Sequence, residues 1–403
     1  MVDSRGSRIL ADLDAAFRQD PDIDEYDYVP VLEPVQNCSP LVKIERKIGL
    51  EMWCVKILYA YAYDKLMSWR RKDARSRDVE PDEINSLSRA VLLINPDVAT
   101  VWNIRKEQID RDFATVDVEL KLCALILGKH PKSSETFGHR KWLLERWMST
   151  DAAVKDYFAR LSTEVKLESI SIEIGVVDSS QQQQQRSRIA TPDVVKSHVL
   201  AEFEICSTAA DKYASNYNAW SHRIWTIQHL TGNDVDVLLD ELETTKEWVR
   251  AHISDHSGFH FRQFLINLLC NDDQLGDDDE MKRILVDELA MSTELVRRFP
   301  DHEAIWCHRR FVVTYLRNHP DAVDAFHLAN FACENKAFVD TETILAGGGG
   351  GGGCSKKSKV ERSALDLFND ELEFCKQFEK SKQSTVKRLQ KKYKDWLQRT
   401  MNE

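Results

Sequence analysis

An aromatic residue, an arginine three positions on and an aliphatic residue seven positions on recur together five times in this chain. Recurrence at fixed offsets dictates a repeat architecture before any single residue is interpreted. The copies are Trp102, Arg105 and Ile109; Phe137, Arg140 and Leu144; Trp220, Arg223 and Ile227; Phe259, Arg262 and Ile266; and Trp306, Arg309 and Val313. In three of them a proline stands six residues ahead of the aromatic (Pro96, Pro131 and Pro300), and in four a second aromatic follows at plus five (Trp142, Trp225, Phe264 and Phe311). Offsets of three and seven share one face of a helix, so each copy reads as an amphipathic helix entered through a turn. The aromatics are separated by 35, 83, 39 and 47 residues. Three of these are lengths expected of helical repeats, and 83 reads as one repeat carrying an insertion.

Between the copies lies a second helix type. Glu83–Ile94 and Thr100–Arg111 form a first pair, broken at Asn95-Pro96, because a residue before proline is pushed out of the helical region. Val116–Lys129 and Ser134–Met148 form the next. The pattern resumes at Val194–Tyr213, Val235–Ile253 and Met281–Phe299. Stacked pairs of this kind predict an all-α chain, a right-handed α-α superhelix like a TPR solenoid. The expected layout is an N-terminal extension over 1–40, with a short helix near Ile9–Arg18, and a helical-repeat array over 41–320. Within that array Lys43–Trp69 reads as one helix, and Trp53-Cys54-Val55-Lys56 as a degenerate copy. A Gln-rich insertion occupies about 158–192, where Gln181–Gln185 is low in complexity and Ile170, Ile172 and Ile174 alternate as in a strand. A flexible Gly-rich insertion with seven consecutive glycines covers 321–362, and a C-terminal helix over 363–403 completes the array.

The motif's apolar members are expected to fill the space between helices, where truncating a buried Trp or Phe costs roughly 3–5 kcal/mol. The arginines admit two roles. They are struts between repeats, paired because a buried charge survives only with a partner, or some of them face a partner subunit. Other constellations carry less. His252, His256 and His260 are four apart, but a turn at Ser254–Gly258 divides them, so no metal ligand is assigned. Cys307 and His308 are adjacent, and neighbours on a helix point about 100° apart, which rules out a nucleophilic dyad. No phosphate-binding glycine loop and no distinctive carboxylate pair is present, and no residue of this chain is assigned as catalytic.

Net charge is −11 with a pI near 5.6, which argues against a general nucleic-acid binder. The nine cysteines include no Cys-x-x-Cys pair and read as reduced thiols. The first residues lack the apolar stretch of a signal peptide, and no apolar run approaches the roughly 20 residues of a membrane helix. The chain is read as cytoplasmic.

With these residues identified, Asn216-Tyr217-Asn218-Ala219-Trp220-Ser221-His222-Arg223 is similar to the Lys-Asn-Tyr-x-x-Trp-x-His-Arg core of the α subunits of protein prenyltransferases. The runs Asp22–Glu25, Trp53–Lys56, Asn216–Trp225, Ser254–His260 and Trp306–Arg310 resemble one branch of that family, the repeat-containing proteins. The resemblance covers about residues 20–320 and the Trp396 end. It implies a helical crescent around a β subunit, probed through Trp102, Arg105, Phe137, Arg140, Trp220, Arg223, Phe259, Arg262, Trp306 and Arg309 as structural or interface residues. It also implies that the β subunit, shared with the Rab geranylgeranyltransferase, carries the zinc and the prenyl diphosphate pocket. Geranylgeranyl diphosphate is the implied co-substrate. Proteins with a C-terminal cysteine, including a farnesylated SNARE, are the implied acceptors.

Two departures bear on the implied site. Pro131-Lys132-Ser133-Ser134 keeps the lysine of the pattern but has Ser where Asn and Tyr are expected. The next copy reverses this, with Ser215 in place of Lys while Asn216 and Tyr217 match. Lys132 and Tyr217 are therefore the residues carried over to the vicinity of the prenyl diphosphate. Lys132 also reads as an ordinary solvated turn lysine. The broken copies motivate an alternative function, a TPR-like adaptor that binds proteins without prenyltransferase activity.

Overall fold

The computed structural model describes residues 5–35, 38–72, 80–160, 192–271, 278–318 and 364–402. The Gln181–Gln185 tract, the alternating isoleucines at 170–174 and the glycine run lie outside the described residues. The chain is mostly helical and divides into two compact units, Met1–Gly232 and Asn233–Glu403.

In the first unit, α1 (Arg5–Gln19) buries Ile9, Leu10, Leu13 and Ala16 against α2 (Met52–Arg71) and α3 (Pro81–Ile94). Gly6 permits the approach, since a Cβ there would overlap Tyr61. Between α1 and α2 lies a small sheet of β1 (Glu25–Val29), β2 (Leu41–Ile44) and β3 (Lys47–Glu51), in the order β1-β3-β2. β1 runs parallel to β3, with Tyr26 opposite Ile48, and β2 runs antiparallel, with Lys43 opposite Ile48.

This corrects the reading of Lys43–Trp69 as one helix, which begins only at Met52. Ile48 and Leu50 are buried on either side of Gly49, a period of two that belongs to a strand. Glu45, at φ 51°, forms the tight connection between β2 and β3. Trp53 and Lys56 do not take repeat positions: Trp53 Nε1 donates to Glu51 Oε2 and Lys56 is exposed.

The helix pairs follow: α3 with α4 (Ala99–Asp110), α5 (Val116–Lys129) with α6 (Ser134–Thr150), and α7 (Asp193–Lys212) with α8 (Tyr217–Thr226). Residues 152–160 are also helical. A single π turn, Ile227–Thr231, extends α8 and ends at Gly232, whose φ of 61° suits glycine. β1 lies along α5, where Lys121 pairs with Asp22 and Lys129 with Asp27.

The second unit repeats the arrangement with α9 (Val235–Ala251) and α10 (His256–Asn271), then α11 (Asp278–Arg298) and α12 (Glu303–Asn318). It ends in α13 (Ala364–Lys376) and α14 (Ser384–Asn402). The sequence suggested one continuous C-terminal helix. The chain instead turns after Lys376, where Phe378 folds back to pack on Trp306 and Phe374. The polar stretch Lys380–Gln383 offers no apolar face to continue the helix. Among the described residues no helix is long and apolar enough to cross a membrane.

Candidate functional site

The motif arginines are struts. Arg105, Arg140, Arg262 and Arg309 are each no more than 3% exposed, and each grips a glutamate of the next helix pair with two guanidinium nitrogens. The acceptors are Glu119, Glu202, Glu288 and Glu371. Arg140 gives 2.6 Å to both Glu202 oxygens. The remaining guanidinium nitrogen, Nη1, reaches back into the arginine's own pair. It donates to a carbonyl twenty residues earlier in four copies: Asn85 for Arg105, Leu120 for Arg140, Phe203 for Arg223 and Leu242 for Arg262. Ser88, Ser207, Thr245 and Thr293 hydroxyls complete this shell. A planar guanidinium with donors on two edges joins three helices at once, which an ammonium cannot do.

Each of three acceptor glutamates also receives the imidazole at motif position plus two. His222 Nε2 lies 2.7 Å from Glu202 and His308 Nε2 lies 2.6 Å from Glu288, while His139 stands 3.5 Å from Glu119. At the end of the array Tyr393 replaces the histidine, its hydroxyl donating to Glu371 at 2.6 Å. Burial alone would raise these carboxyls, but the arginines and the side-chain hydrogen bonds overcome it. Glu119 and Glu202 are held at about 2, and Glu288 lies well below the carboxylate range. Burial keeps His139 and His222 below the ordinary imidazole value, against the pull of their glutamates. Rings join the same junctions: Trp102 meets His139 at 4.5 Å, Phe137 meets His222 at 5.3 Å and Phe259 meets His308 at 5.0 Å.

The turns explain the rest of the motif. Trp102 Nε1 donates to the Pro96 carbonyl and Trp306 Nε1 to that of Pro300, at 2.7 and 2.8 Å, so the proline six residues ahead supplies the indole's acceptor. Four residues before the aromatic stands the N-cap of the following helix. Ser133, Asn216 and Asp255 fill it, each accepting a backbone N–H of the first turn. Ser133 therefore keeps the capping role that Asn216 performs in the next copy. Asn216 adds bonds to the carbonyls of Pro131 and Ala209, tying its turn to the preceding one.

Lys132 and Tyr217 lie on these two adjacent turns and face solvent. Lys132 Nζ donates to Tyr213 Oη at 3.2 Å and sits 4.7 Å above that ring. Asn218 Nδ2 donates to the Lys132 carbonyl at 3.0 Å. Tyr217 opens α8 and is 70% exposed. Ser215, between the two tyrosines, has φ 53° and offers no cation. The edge thus presents one ammonium and two phenols, a set suited to an anion.

The other constellations do not assemble. His252 closes α9 and stacks on Trp248 at 4.0 Å, while His256 and His260 are exposed on α10. Among the described residues no group of His, Cys, Asp and Glu is placed to hold a metal ion. His308 is engaged by Glu288, and burial raises the Cys307 thiol. The sequence reading missed the acceptor glutamates, although Glu119, Glu202 and Glu288 each precede a motif histidine by twenty residues. It also missed Tyr213 as the partner of Lys132.

The protein prenyltransferase alpha subunit repeat model matches residues 116–147, 199–230, 238–269 and 285–316. The Trp102 copy falls outside these matches, yet Arg105 makes the same strut. The chain is 37% identical over 346 residues to human protein prenyltransferase alpha subunit repeat-containing protein 1, covering 78% of each chain. It is 35% identical to the zebrafish protein of that name, over 77% of this chain and 72% of the relative. The geranylgeranyl transferase type-2 subunit alpha of rat is 20% identical, over 62% of this chain and 36% of the relative. Repeats, struts and relatives agree: the chain belongs to the family of protein prenyltransferase alpha subunit repeat-containing proteins.

Proposed function

We propose that this chain is the non-catalytic alpha subunit of a heterodimeric protein geranylgeranyltransferase of a third type, pairing with the β subunit of the Rab enzyme. The observation that carries the proposal is the exposed pair Lys132 and Tyr217 on adjacent turns, in a motif whose other members are buried in struts. The similarity to geranylgeranyl transferase type-2 subunit alpha supports the same assignment.

In this reading the β subunit holds the zinc and the geranylgeranyl diphosphate, and zinc supplies a thiolate at the acceptor cysteine. The acceptor sulfur forms a bond to the first prenyl carbon as the carbon–oxygen bond to diphosphate breaks. Lys132 meets the charge that develops on the leaving diphosphate, and the Tyr217 hydroxyl donates to it. The buried struts fix the two turns, so this response needs little reorganisation. The acceptors are proteins with C-terminal cysteines, a farnesylated SNARE among them.

Co-expression with the Rab enzyme's β subunit tests the proposal. The expected result is a 1:1 heterodimer on gel filtration that transfers geranylgeranyl to a C-terminal cysteine. Failure to form a heterodimer together with absence of transfer overturns it. The alternative, a TPR-like adaptor, is favoured by Ser134 and Ser215 in place of Tyr and Lys. It expects a stable monomer that stays unchanged when the β subunit is present.

A further inference from the structure

Residues 376–402 carry nine basic side chains and two acidic ones, a net +7 in a chain whose net charge is −11. The fold sorts these cations on the last helix pair. α14 buries Val386, Leu389, Tyr393 and Leu397, a stripe with spacings of three and four that faces the core. Lys387, Arg388 and Lys391 fall on the opposite side and are exposed, and Lys380 and Lys382 stand exposed in the turn that leads into the helix. The cations on the flanks are already answered: Lys392 meets Glu303 at 3.0 Å and Lys394 meets Glu379 at 3.1 Å. On the outward side Arg388 has one long contact, 3.8 Å to Glu303, and among the described residues Lys380, Lys382, Lys387 and Lys391 have no ion pair.

We propose that this outward face of α14 and its leading turn docks the chain on an anionic phospholipid surface. Charge complementarity carries the assignment: five cations share one side, and the acids within reach are spent on the flanks. Fields are screened beyond about 8 Å at physiological salt, so a local cluster attracts anionic headgroups even though the chain as a whole is acidic. Four of the five are lysines. Protein interfaces are depleted in lysine and enriched in arginine and aromatic rings, whereas compact, hydrated ammonium groups suit a mobile layer of lipid phosphates. Among the described residues of α13 and α14 no large apolar or aromatic side chain is exposed. The face therefore has no wedge to insert between acyl chains and no ring to stack on an unpaired base, and its contact stays at headgroup depth and depends on charge.

Co-sedimentation of the full chain with vesicles tests this. Vesicles of phosphatidylcholine mixed with phosphatidylserine should carry the chain down, vesicles of phosphatidylcholine alone should not, and added salt should release it. Each lysine removed from the face should weaken partitioning about fivefold, so Lys387→Gln together with Lys391→Gln should cost about 25-fold. Both side chains are exposed, and circular dichroism should report an unchanged fold. A control pair with the same change of net charge, Lys56→Gln together with Lys155→Gln at exposed sites elsewhere, should bind as the wild type does. Equal sedimentation with the two kinds of vesicle overturns the proposal, and so does an equal loss in the control pair. Capture of duplex RNA or polyglutamate through the same two lysines, without binding to the vesicles, also overturns it and gives the face to a different polyanion. None of these readouts requires a β subunit, so this proposal and the subunit assignment fail separately.

Discussion

Converting Glu202 to Gln removes the charge from a carboxylate that closes two helix pairs of the first unit. Glu202 is fully buried, takes both Arg140 nitrogens at 2.6 Å and holds His222 at 2.7 Å. The Arg140 guanidinium, also buried, is then left with one carbonyl as a firm partner, that of Leu120. Breaking a buried pair from one side costs roughly 3–5 kcal/mol, because the survivor stays charged and out of water. A second route gives a similar size. A carboxyl held at about 2 rather than 4.5 represents about 3 kcal/mol of folded-state preference for the charged form. Urea unfolding followed by tryptophan fluorescence measures the loss. The double variant Arg140→Met with Glu202→Leu should recover to within about 1 kcal/mol of wild type, since paired hydrophobic replacements avoid desolvating charge. A Glu202→Gln cost below about 1 kcal/mol, or a double variant as unstable as the two single changes added together, refutes the strut argument.

Acid should act in two stages. His139 and His222 are lowered in the folded state, so the unfolded chain binds more protons below about 6.5, and the urea midpoint should begin to fall there. Glu119 and Glu202 add a second loss as pH falls from about 4.5 toward about 2, and a midpoint flat from pH 7 to 5 contradicts the first stage. Trp306→Phe keeps the ring but loses the bond to Pro300, so it should cost about 1 kcal/mol against roughly 3–5 for Trp306→Ala, read by the same denaturation. Gly6→Ala should destabilise by roughly 1–3 kcal/mol through overlap with Tyr61, although alanine is the better helix former; a gain in thermal midpoint argues against the α1–α2 packing described.

The repeat was legible because its signal is local. Trp102, Pro96 and Arg105 sit within one turn and helix, and their offsets follow helical geometry. The arginine's counter-charge was not legible, because it lies 14, 62, 26 and 62 residues downstream of Arg105, Arg140, Arg262 and Arg309. No fixed offset survives when connections differ in length. Backward spacing from the histidine is constant, since Glu202 to His222 crosses only one hairpin. The sheet was missed for a different reason. Ile48 and Leu50 run into a strong helix at Met52, and four or five residues of alternation are easily absorbed into a neighbouring periodic segment. Of the edge, Lys132 and Tyr217 were found from the motif, whereas Tyr213 carries no signal until the turns are placed together.

The uneven distance from each arginine to its glutamate sets a timetable for synthesis. A ribosome adding about 5–20 residues per second delivers Glu119 within about 3 s of Arg105, but Glu202 reaches Arg140 only after about 3–12 s, and Glu371 reaches Arg309 after a similar wait. Throughout each interval a finished helix pair carries an unanswered guanidinium, which keeps its growing end hydrated and slow to stick to neighbouring chains. After Tyr393, at the place of the motif arginine, stands Lys394, which pairs with Glu379 at the surface and needs no later counter-charge.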